Sequence, residues 1–481
     1  MSAIIGRKKE IGQLDKIKAS RKSEFVAVYG RRRVGKTFLV REYFEYQFDF
    51  QLTGLANANT QQQLTNFHAT LRRYAPAYDK SIPSNWFEAF QDLISCLETI
   101  QGDRKKIIFL DELPWLATPK SDFMMSLEHF WNSWATNRKD IILIACGSAA
   151  SWMISELINN RGGLHNRVTE RIKIHPFNLG ETERLLQSKN IVLDRYQILQ
   201  LYMVMGGIPY YLDAVSPEKS AAQNIEEMCF RKGAILETEF RNLLASLFRK
   251  AHRHEAVVNA LALKARGMSR NELVAAATGI TSGGSLTRVL EELEESGFIQ
   301  RYTPFNNKSK NTLYRLSDFY STFYLKFIKD NTNYEAGVWT NAIDHPSQRA
   351  WAGYAFEQVC LAHIPQIKKA LGISGILSHT SSWKSARPEN GAQIDLVIDR
   401  RDQVINLCEV KYSINPYSIT KAYADNLRNK VGAFRDETKT RKAVFLTMIT
   451  TFGLERNAHA GSVVQNEIRM DALFGDGESV L

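Results

Sequence analysis

Eight residues early in the chain, "GRRRVGKT" at 30–37, satisfy G-x-x-x-x-G-K-[ST] without a gap. Gly30 and Gly35 let backbone N–H groups turn inward around phosphate oxygens, and Lys36 can reach the outer phosphates of a nucleotide. Thr37 offers a hydroxyl to Mg2+ at the start of a helix, whose N-terminus favours anions. The expected nucleotide set is Gly30, Arg31, Arg32, Arg33, Val34, Gly35, Lys36, Thr37 and Phe38, with ATP as the nucleotide. Three arginines exceed what a phosphate cradle needs. They read either as solvated loop residues or as anion contacts for a neighbouring group. Farther on, "IIFLDELPWL" (107–116) ends an apolar run in two carboxylates. Asp111 is expected to hold Mg2+ through water and Glu112 to orient the attacking water. "IILIACGS" (141–148) ends in Ser148, whose hydroxyl can sense the terminal phosphate.

A second group of polar residues lies near the other end. In "INLCEVKYS" (405–413), Glu409 and Lys411 are two apart in an apolar run, so a strand points both to one face. Upstream, "GAQIDLVID" (391–399) alternates, with Ile394, Leu396 and Ile398 on one face and Asp395 on the other. The short connection "RRDQV" predicts an antiparallel hairpin turning near Arg401–Asp402, with Asp395 about opposite Glu409. Glu357 sits on a helical stretch, "WAGYAFEQVCLAHI" (351–364), amid Phe356, Val359 and Cys360. Carboxylates sharing a hard cation at about 2.0–2.6 Å make sense as a second Mg2+ site. Such an ion polarises a phosphoryl oxygen and activates water, and Lys411 steadies the developing charge. For "ExK" alone, a cross-strand salt bridge on a solvated sheet face is the competing account. Lys421, Arg428 and Lys430 in "SITKAYADNLRNKVGAFR" (418–435) are available for phosphates.

The elements that must position these groups follow from periodicity. "FVAVYG" (25–30), "KIIFLDE" (106–112) and "IILIACGS" are near-continuous apolar strands, as in a parallel sheet covered by helices. "SLEHFWNSWATN" (126–137) reads as an amphipathic helix between two of them. The expected fold class is α/β, doubly wound, over residues 1–175. Residues 176–250 are helical and read as a small lid, hinged at Gly206–Gly207. Residues 251–330 give three helices and a β-hairpin with a basic tip, the layout of a winged helix. Its third helix is rich in glutamate (Glu291, Glu292, Glu294, Glu295), which disfavours a DNA groove. The tip, with Arg301, Lys308, Lys310 and Arg315, suits backbone phosphates better. DNA contact and protein contact both remain open for this module. Residues 335–481 form a further α/β unit.

The order of motifs resembles the archaeal-type ATPases, AAA-related members of the STAND-like NTPase group. The residues that carry the likeness are "IIGRKKEIGQL" (4–14), "VYGRRRVGKTFLV" (28–40), "IFLDELPWL", "ILIACGSAASWM" (142–153), "LHNRVTERIKIHPF" (164–177) and "GGIPYYL" (206–212). The resemblance implies that Gly6 and Arg7 lie near the adenine. It also puts Arg167 on the family's arginine, as a sensor or finger in place of a plain surface salt bridge, although "HNR" replaces the family's "YGR". The spacing D…E-x-K behind a glutamate-bearing helix resembles the PD-(D/E)xK nuclease superfamily, with its restriction-endonuclease-like α/β fold. That resemblance implies Glu357, Asp395, Glu409 and Lys411 as the metal and catalytic set.

Bulk properties bound the rest. With 481 residues, the chain exceeds one hydrophobic core. A net charge of +11 favours a polyanionic partner, nucleic acid and DNA first. The five cysteines are scattered without a CxxC pair, which argues against a structural zinc site or disulfide framework. No signal peptide or membrane span is read, so a cytoplasmic protein without a membrane partner is expected. The arginine near the nucleotide permits sharing between subunits of a homo-oligomer. The leading expectation is an ATPase controlling a metal-dependent nuclease. The alternatives are an ATP-dependent switch whose C-terminal domain binds nucleic acid without cutting, and a defence effector with a protein partner.

Overall fold

The computed structural model describes residues 4–159, 166–248, 250–306, 311–331, 337–387 and 391–476. Lys308 and Lys310 of the basic tip lie outside the described residues. The chain forms two compact units, residues 1–176 and 177–481.

In the first unit the apolar runs become β1 (Glu24–Gly30), β2 (Phe50–Thr53), β3 (Lys106–Asp111), β4 (Ile141–Gly147) and β5 (Glu170–Ile174). They build one sheet of order β2-β3-β4-β1-β5, with every neighbouring pair parallel. β4 is buried along its whole length, as a central strand covered on both faces must be. The helices Thr60–Tyr74 and Trp86–Glu98 start at Asn59 and Asn85, whose side chains accept the N–H groups of Gln62 and Glu88. Their inward faces bury Phe67, Trp86 and Phe90 in one cluster with Phe25, Phe50 and Trp131. The stretch 126–137 departs from a regular amphipathic helix. It is α-helical over Phe123–His129, then widens into a π-helical turn over Phe130–Trp134. The wider turn accommodates two consecutive aromatics, Phe130 and Trp131, that are both buried.

The second unit opens with helices, among them Leu179–Ser188 and Arg195–Met205. Gly206, at φ 64°, caps the latter, and its N–H returns to the Tyr202 carbonyl. Gly207, at φ 68°, lies so close to the preceding segment that a Cβ would stand 2.0 Å from the Phe177 carbonyl oxygen. The pair read as a hinge is therefore a close-packed turn.

Three helices follow, Ala251–Ala262, Arg270–Ala276 and Gly284–Glu295. With them, β6 (Met268–Ser269), β7 (Ile299–Tyr302) and β8 (Leu313–Leu316) form a small antiparallel sheet, order β6-β8-β7. The glutamates of the third helix have partners inside this module. Glu292 pairs with His254 and Arg288, and Glu294 with Arg301. Beyond β7 the hairpin leans on the C-terminal sheet. Phe305 donates its N–H to the Ser382 carbonyl at 2.8 Å and sets its ring 5.1 Å from Phe434.

The C-terminal sheet comprises β9 (Ser378–Lys384), β10 (Gln393–Arg400), β11 (Val404–Lys411), β12 (Ala443–Thr450) and β13 (Asn466–Arg469), in order β13-β12-β11-β10-β9. β9, β10 and β11 are antiparallel neighbours, while β11, β12 and β13 are parallel. Lys421–Thr438 is the helix joining β11 to β12, as a parallel connection requires. This sheet shares a body with the opening helices. Tyr196 stacks on Tyr412 at 5.6 Å and meets Phe452 at 5.1 Å, and Tyr412 also faces Phe356.

A buried histidine adds to that join. His363 is fully buried at the end of the helix Pro346–Ala362. Its Nε2 lies 3.0 Å from the Leu179 N–H and its Nδ1 lies 2.8 Å from the Val359 carbonyl. Only the neutral ring, protonated at Nδ1, serves both partners. Burial pushes its pKa down from 6.5 to about 4. The unfolded chain therefore binds this proton first as pH falls. The histidine's contribution to stability is complete above pH 6.5, is lost progressively toward pH 4 and is flat below. A shift of that size amounts to roughly 3 kcal/mol. Urea unfolding at pH 7, 5.5 and 4.5 should show this decline, and His363→Gln should flatten it.

Among the described residues no helix is long and apolar enough to cross a membrane. None of the five cysteines is in a disulfide.

Candidate functional site

The carboxyl ends of β1, β3 and β4 share one edge of the first sheet, and the chemistry read from the sequence collects there. Ligands of such sheets bind outside the carboxyl ends, where strand order changes direction. Gly30 ends β1 at φ 143°, and a Cβ on it would lie 2.2 Å from the Ile174 carbonyl oxygen, so only glycine fits. Gly35, at φ 86°, precedes the helix Lys36–Tyr43. Lys36 is buried, and its ammonium donates to the loop's own carbonyls, Gly30 O at 3.1 Å and Arg31 O at 2.8 Å. Burial lowers its pKa, although Cys146, Glu112 and Asp111 oppose the change. Thr37 Oγ1 donates toward Asp111, 3.1 Å from each carboxylate oxygen. Asp111 is held above the usual carboxylate range by burial and by Glu112, with Thr37 and Cys146 pulling the other way.

Glu112 occupies the left-handed region at φ 48°, unusual for a residue with a Cβ and a form of strain found at active sites. Its carboxylate accepts from the Ser148 hydroxyl at 2.8 Å. The two residues expected to read water and terminal phosphate are thus joined. Val34 is fully buried beneath the loop, whereas Phe38 is half-exposed. Arg31 is buried and Arg32 and Arg33 are half-buried, so none of the three is a fully solvated residue. Gly6 forms the turn before Arg7, at φ 66°. The Arg7 guanidinium donates to Val34 O at 2.9 Å and His175 O at 2.6 Å, bracing the loop against the end of the sheet. Arg167 stands exposed on the turn before β5.

In the second unit, the β10–β11 pairing runs through Val397↔Leu407 to Leu396↔Cys408. The next step along that ladder sets Asp395 beside Glu409. The expected alternation of Ile394, Leu396 and Ile398 is broken. The register of β10 against β9 shifts between Ile394 and Val397, and those two residues share one core cluster. Asp395 lies within this irregularity, a device that re-aims a side chain. Glu357, half-buried on the helix Pro346–Ala362, feels the other carboxylates. Burial, Asp395 and Glu409 raise its pKa, while Arg266 and Lys411 oppose them. Burial and Glu409 raise Asp395 in the same way.

Glu409 is 2% exposed, and its carboxylate is already engaged. Lys430 donates to both oxygens at 2.9 and 2.8 Å, the Tyr423 hydroxyl donates at 3.0 Å, and Lys411 lies 3.2 Å away. Burial alone would lower the Lys411 pKa, but Glu409 outweighs it and holds the ammonium above its usual value. The Glu409–Lys411 pair therefore lies within one strand, with Glu409 buried and Lys411 half-buried, unlike a cross-strand bridge on a solvated face. Among the described residues no three His, Cys, Asp or Glu side chains are disposed to hold a metal ion. The expectation that Glu357, Asp395 and Glu409 jointly grip one cation is corrected on this point. The three carboxylates influence one another electrostatically, but ammonium groups occupy the Glu409 oxygens. Tyr423 and Lys430 are the partners whose role at Glu409 the sequence reading missed. They are seven residues apart on one helix, flanking buried Leu427, so a polar pair on an inward stripe was the available signal.

This loop, with its threonine–carboxylate pair and strained glutamate, defines a nucleotide-hydrolysing class of domain. Residues 4–215 match the family described as an ATPase domain predominantly from Archaea, a span short of half the chain. That part of the chain is similar to the ATPase domains of that family. Over most of its length the chain is 24% identical to an uncharacterized protein of Methanocaldococcus jannaschii, covering 88% of this chain and 91% of that one. Among solved structures, it is similar to the Walker-type ATPase of Pyrococcus abyssi, at 18% identity and TM-score 0.48, covering 67% of this chain and 96% of that one. It is also similar to the ORC2 protein of Aeropyrum pernix in its ADPNP–ADP complexes, at 14% identity and TM-score 0.42, covering 71% and 97%.

Proposed function

We propose that the protein binds and hydrolyses ATP in its first unit and uses the second to act on nucleic acid. The observation that carries the first half is the contact of Thr37 with Asp111 beside the buried Lys36. A hydroxyl and a carboxylate facing each other offer the oxygen donors that Mg2+ takes together with nucleotide phosphates. When bound, that ion supplies neutralisation of developing phosphate charge. The chain's own groups do the rest. Lys36 exchanges two loop carbonyls for phosphate oxygens, and backbone N–H groups of residues 30–38 cradle the phosphates. Glu112 orients the attacking water, and Ser148 holds the Glu112 carboxylate in place. Glu112→Gln should reduce phosphate release about 10²–10³-fold while nucleotide still binds. Unchanged turnover, read as inorganic phosphate, would remove Glu112 from the reaction.

For the second half, the supporting feature is the set formed by Asp395, Glu409 and Lys411 on the C-terminal sheet with Glu357 and Lys430 from two helices. This is a polar site of both signs in a chain of net charge +11. The reading is a nuclease-like site directed at phosphodiesters, with DNA as the first substrate to test. The ion pairing at Glu409 favours a second reading, in which this domain binds nucleic acid without cutting it. Incubation of single- and double-stranded DNA and RNA with Mg2+ or Mn2+ separates them. If Asp395→Ala and the parent protein degrade nucleic acid equally, the cutting reading is lost.

A further inference from the structure

Between β1 and the helix Lys36–Tyr43 the chain turns through two left-handed residues, Arg33 at φ 70° and Gly35 at φ 86°, with Val34 between them. That region is uncommon for a residue with a side chain, so the surroundings must hold the turn in place. Val34 is held twice. Its side chain is fully buried, and its carbonyl accepts from Arg7 Nη2 at 2.9 Å. Nη1 of the same guanidinium donates to the His175 carbonyl at 2.6 Å, one residue beyond β5. Arg7 is 6% exposed, and its bonds are charge-assisted, so they are stronger than neutral ones. The grip also aims a donor. In a planar trans peptide the C=O and the following N–H point in opposite directions. Turning the Val34 carbonyl toward Arg7 therefore turns the Gly35 N–H away from it. A Cβ on Gly35 would meet nothing within 4 Å, so the loop is open at this residue. Successive N–H groups in turns of this kind form concavities that bind anions.

We propose that Arg7 is a positioning residue that fixes the Val34–Gly35 peptide plane, so that the Gly35 N–H faces the phosphates whatever base the nucleotide carries. This rests on the nucleotide-binding reading above and gives Arg7 a part in it other than contact with adenine. The His175 carbonyl is the fixed point of the device. It follows the strand whose Ile174 carbonyl already packs against Gly30, so both ends of the turn are referred to the same edge of the sheet. Holding the donor in place before the ligand arrives spares the bound state the cost of ordering it.

Valine precedes glycine at two places in the chain, 34–35 and 431–432. Isotope labelling of valine carbonyl carbon and glycine nitrogen in the full-length protein therefore selects two amide signals by nuclear magnetic resonance. One reports the peptide in question, and the other, inside the helix Lys421–Thr438, is the reference. In the parent the Gly35 signal should move on addition of ADP and also of inorganic tripolyphosphate, which has no base. Arg7→Met should displace or split that signal before any ligand is added, leaving Gly432 unchanged. It should also weaken ADP and tripolyphosphate by the same factor, about tenfold or more by calorimetry. Arg7→Lys, which keeps the charge on a single head group, should fall between. A merely stabilising arginine would lower the melting temperature and leave the Gly35 signal and both affinities as in the parent, which would overturn the proposal. Weaker ADP with unchanged tripolyphosphate would put Arg7 on the nucleoside and overturn it equally. If Arg7→Met fails to fold, Arg7→Lys decides by the same readouts. A parent whose Gly35 signal ignores both ligands would sink the nucleotide reading as well, whereas a responsive parent matched by Arg7→Met sinks this inference alone.

Discussion

Replacing Lys36 with methionine is expected to abolish stabilisation by ATP while leaving the nucleotide-free protein about as stable as the parent. Lys36 is 5% exposed, and its ammonium is held by two carbonyls of its own loop. Its lowered pKa shows that burial penalises the charge there. Methionine forfeits two charge-assisted hydrogen bonds but also removes the desolvation penalty, so the net change should stay within about 1 kcal/mol. The phosphates lose their counter-charge outright. At a nucleotide concentration of about 100 Kd, the parent should gain about 2.7 kcal/mol, and the variant at the same concentration almost nothing. Turnover should fall at least about 10²-fold. Melting curves with and without ATP and Mg2+, read beside phosphate release, check both halves. A variant that keeps its ATP-induced shift would move the nucleotide away from this loop.

The second large effect is expected at a position with no chemistry. Gly207→Ala should destabilise the second unit by roughly 2–5 kcal/mol. The left-handed conformation at φ 68° disfavours alanine by about 1–2 kcal/mol. A methyl 2.0 Å from the Phe177 carbonyl oxygen adds overpacking against backbone, which cannot swing aside, at about 1–3 kcal/mol. Gly233 is the internal control. It sits at φ 78° with nothing within 4 Å of a Cβ, so Gly233→Ala should show the conformational part alone. Urea midpoints of the two variants separate steric from conformational effects. Equal midpoints would mean that the segment around Phe177 yields freely, and the hinge interpretation would regain its footing.

The nucleotide loop was legible in the sequence because its requirements are local. A glycine pair, a lysine and a hydroxyl at fixed spacing follow one strand, and a later strand runs out into two acids, Asp111 and Glu112. Burial on both faces made those strands readable as continuous apolar runs. What the sequence hid were properties of packing. Arg7 looks like a ligand residue but holds two backbone carbonyls, one of them at residue 175. Alternation along β10 predicts a clean two-face strand, and only its pairing with β9 exposes the shift that buries Ile394 and Val397 together. The carboxylates 357, 395 and 409 were found by type and order. Their neutralisation by Lys430 was not, because the pairing depends on how a later helix is rotated against the sheet. The hairpin was read for its basic tip alone, and nothing in the sequence shows that the ring of Phe305 anchors its base on Phe434.

The stack of Tyr196 on Tyr412 and Phe452 bears on how portable the C-terminal sheet is. Tyr412 is the residue after Lys411, so the aromatic cover supplied by residues 177–250 begins one peptide bond from the acidic cluster. A protein shortened to start after residue 250 would bare both rings to water and leave His363 without the Leu179 N–H. It should therefore be sticky and poorly soluble, and grafting the sheet onto another scaffold succeeds only if the helix Arg195–Met205 travels with it.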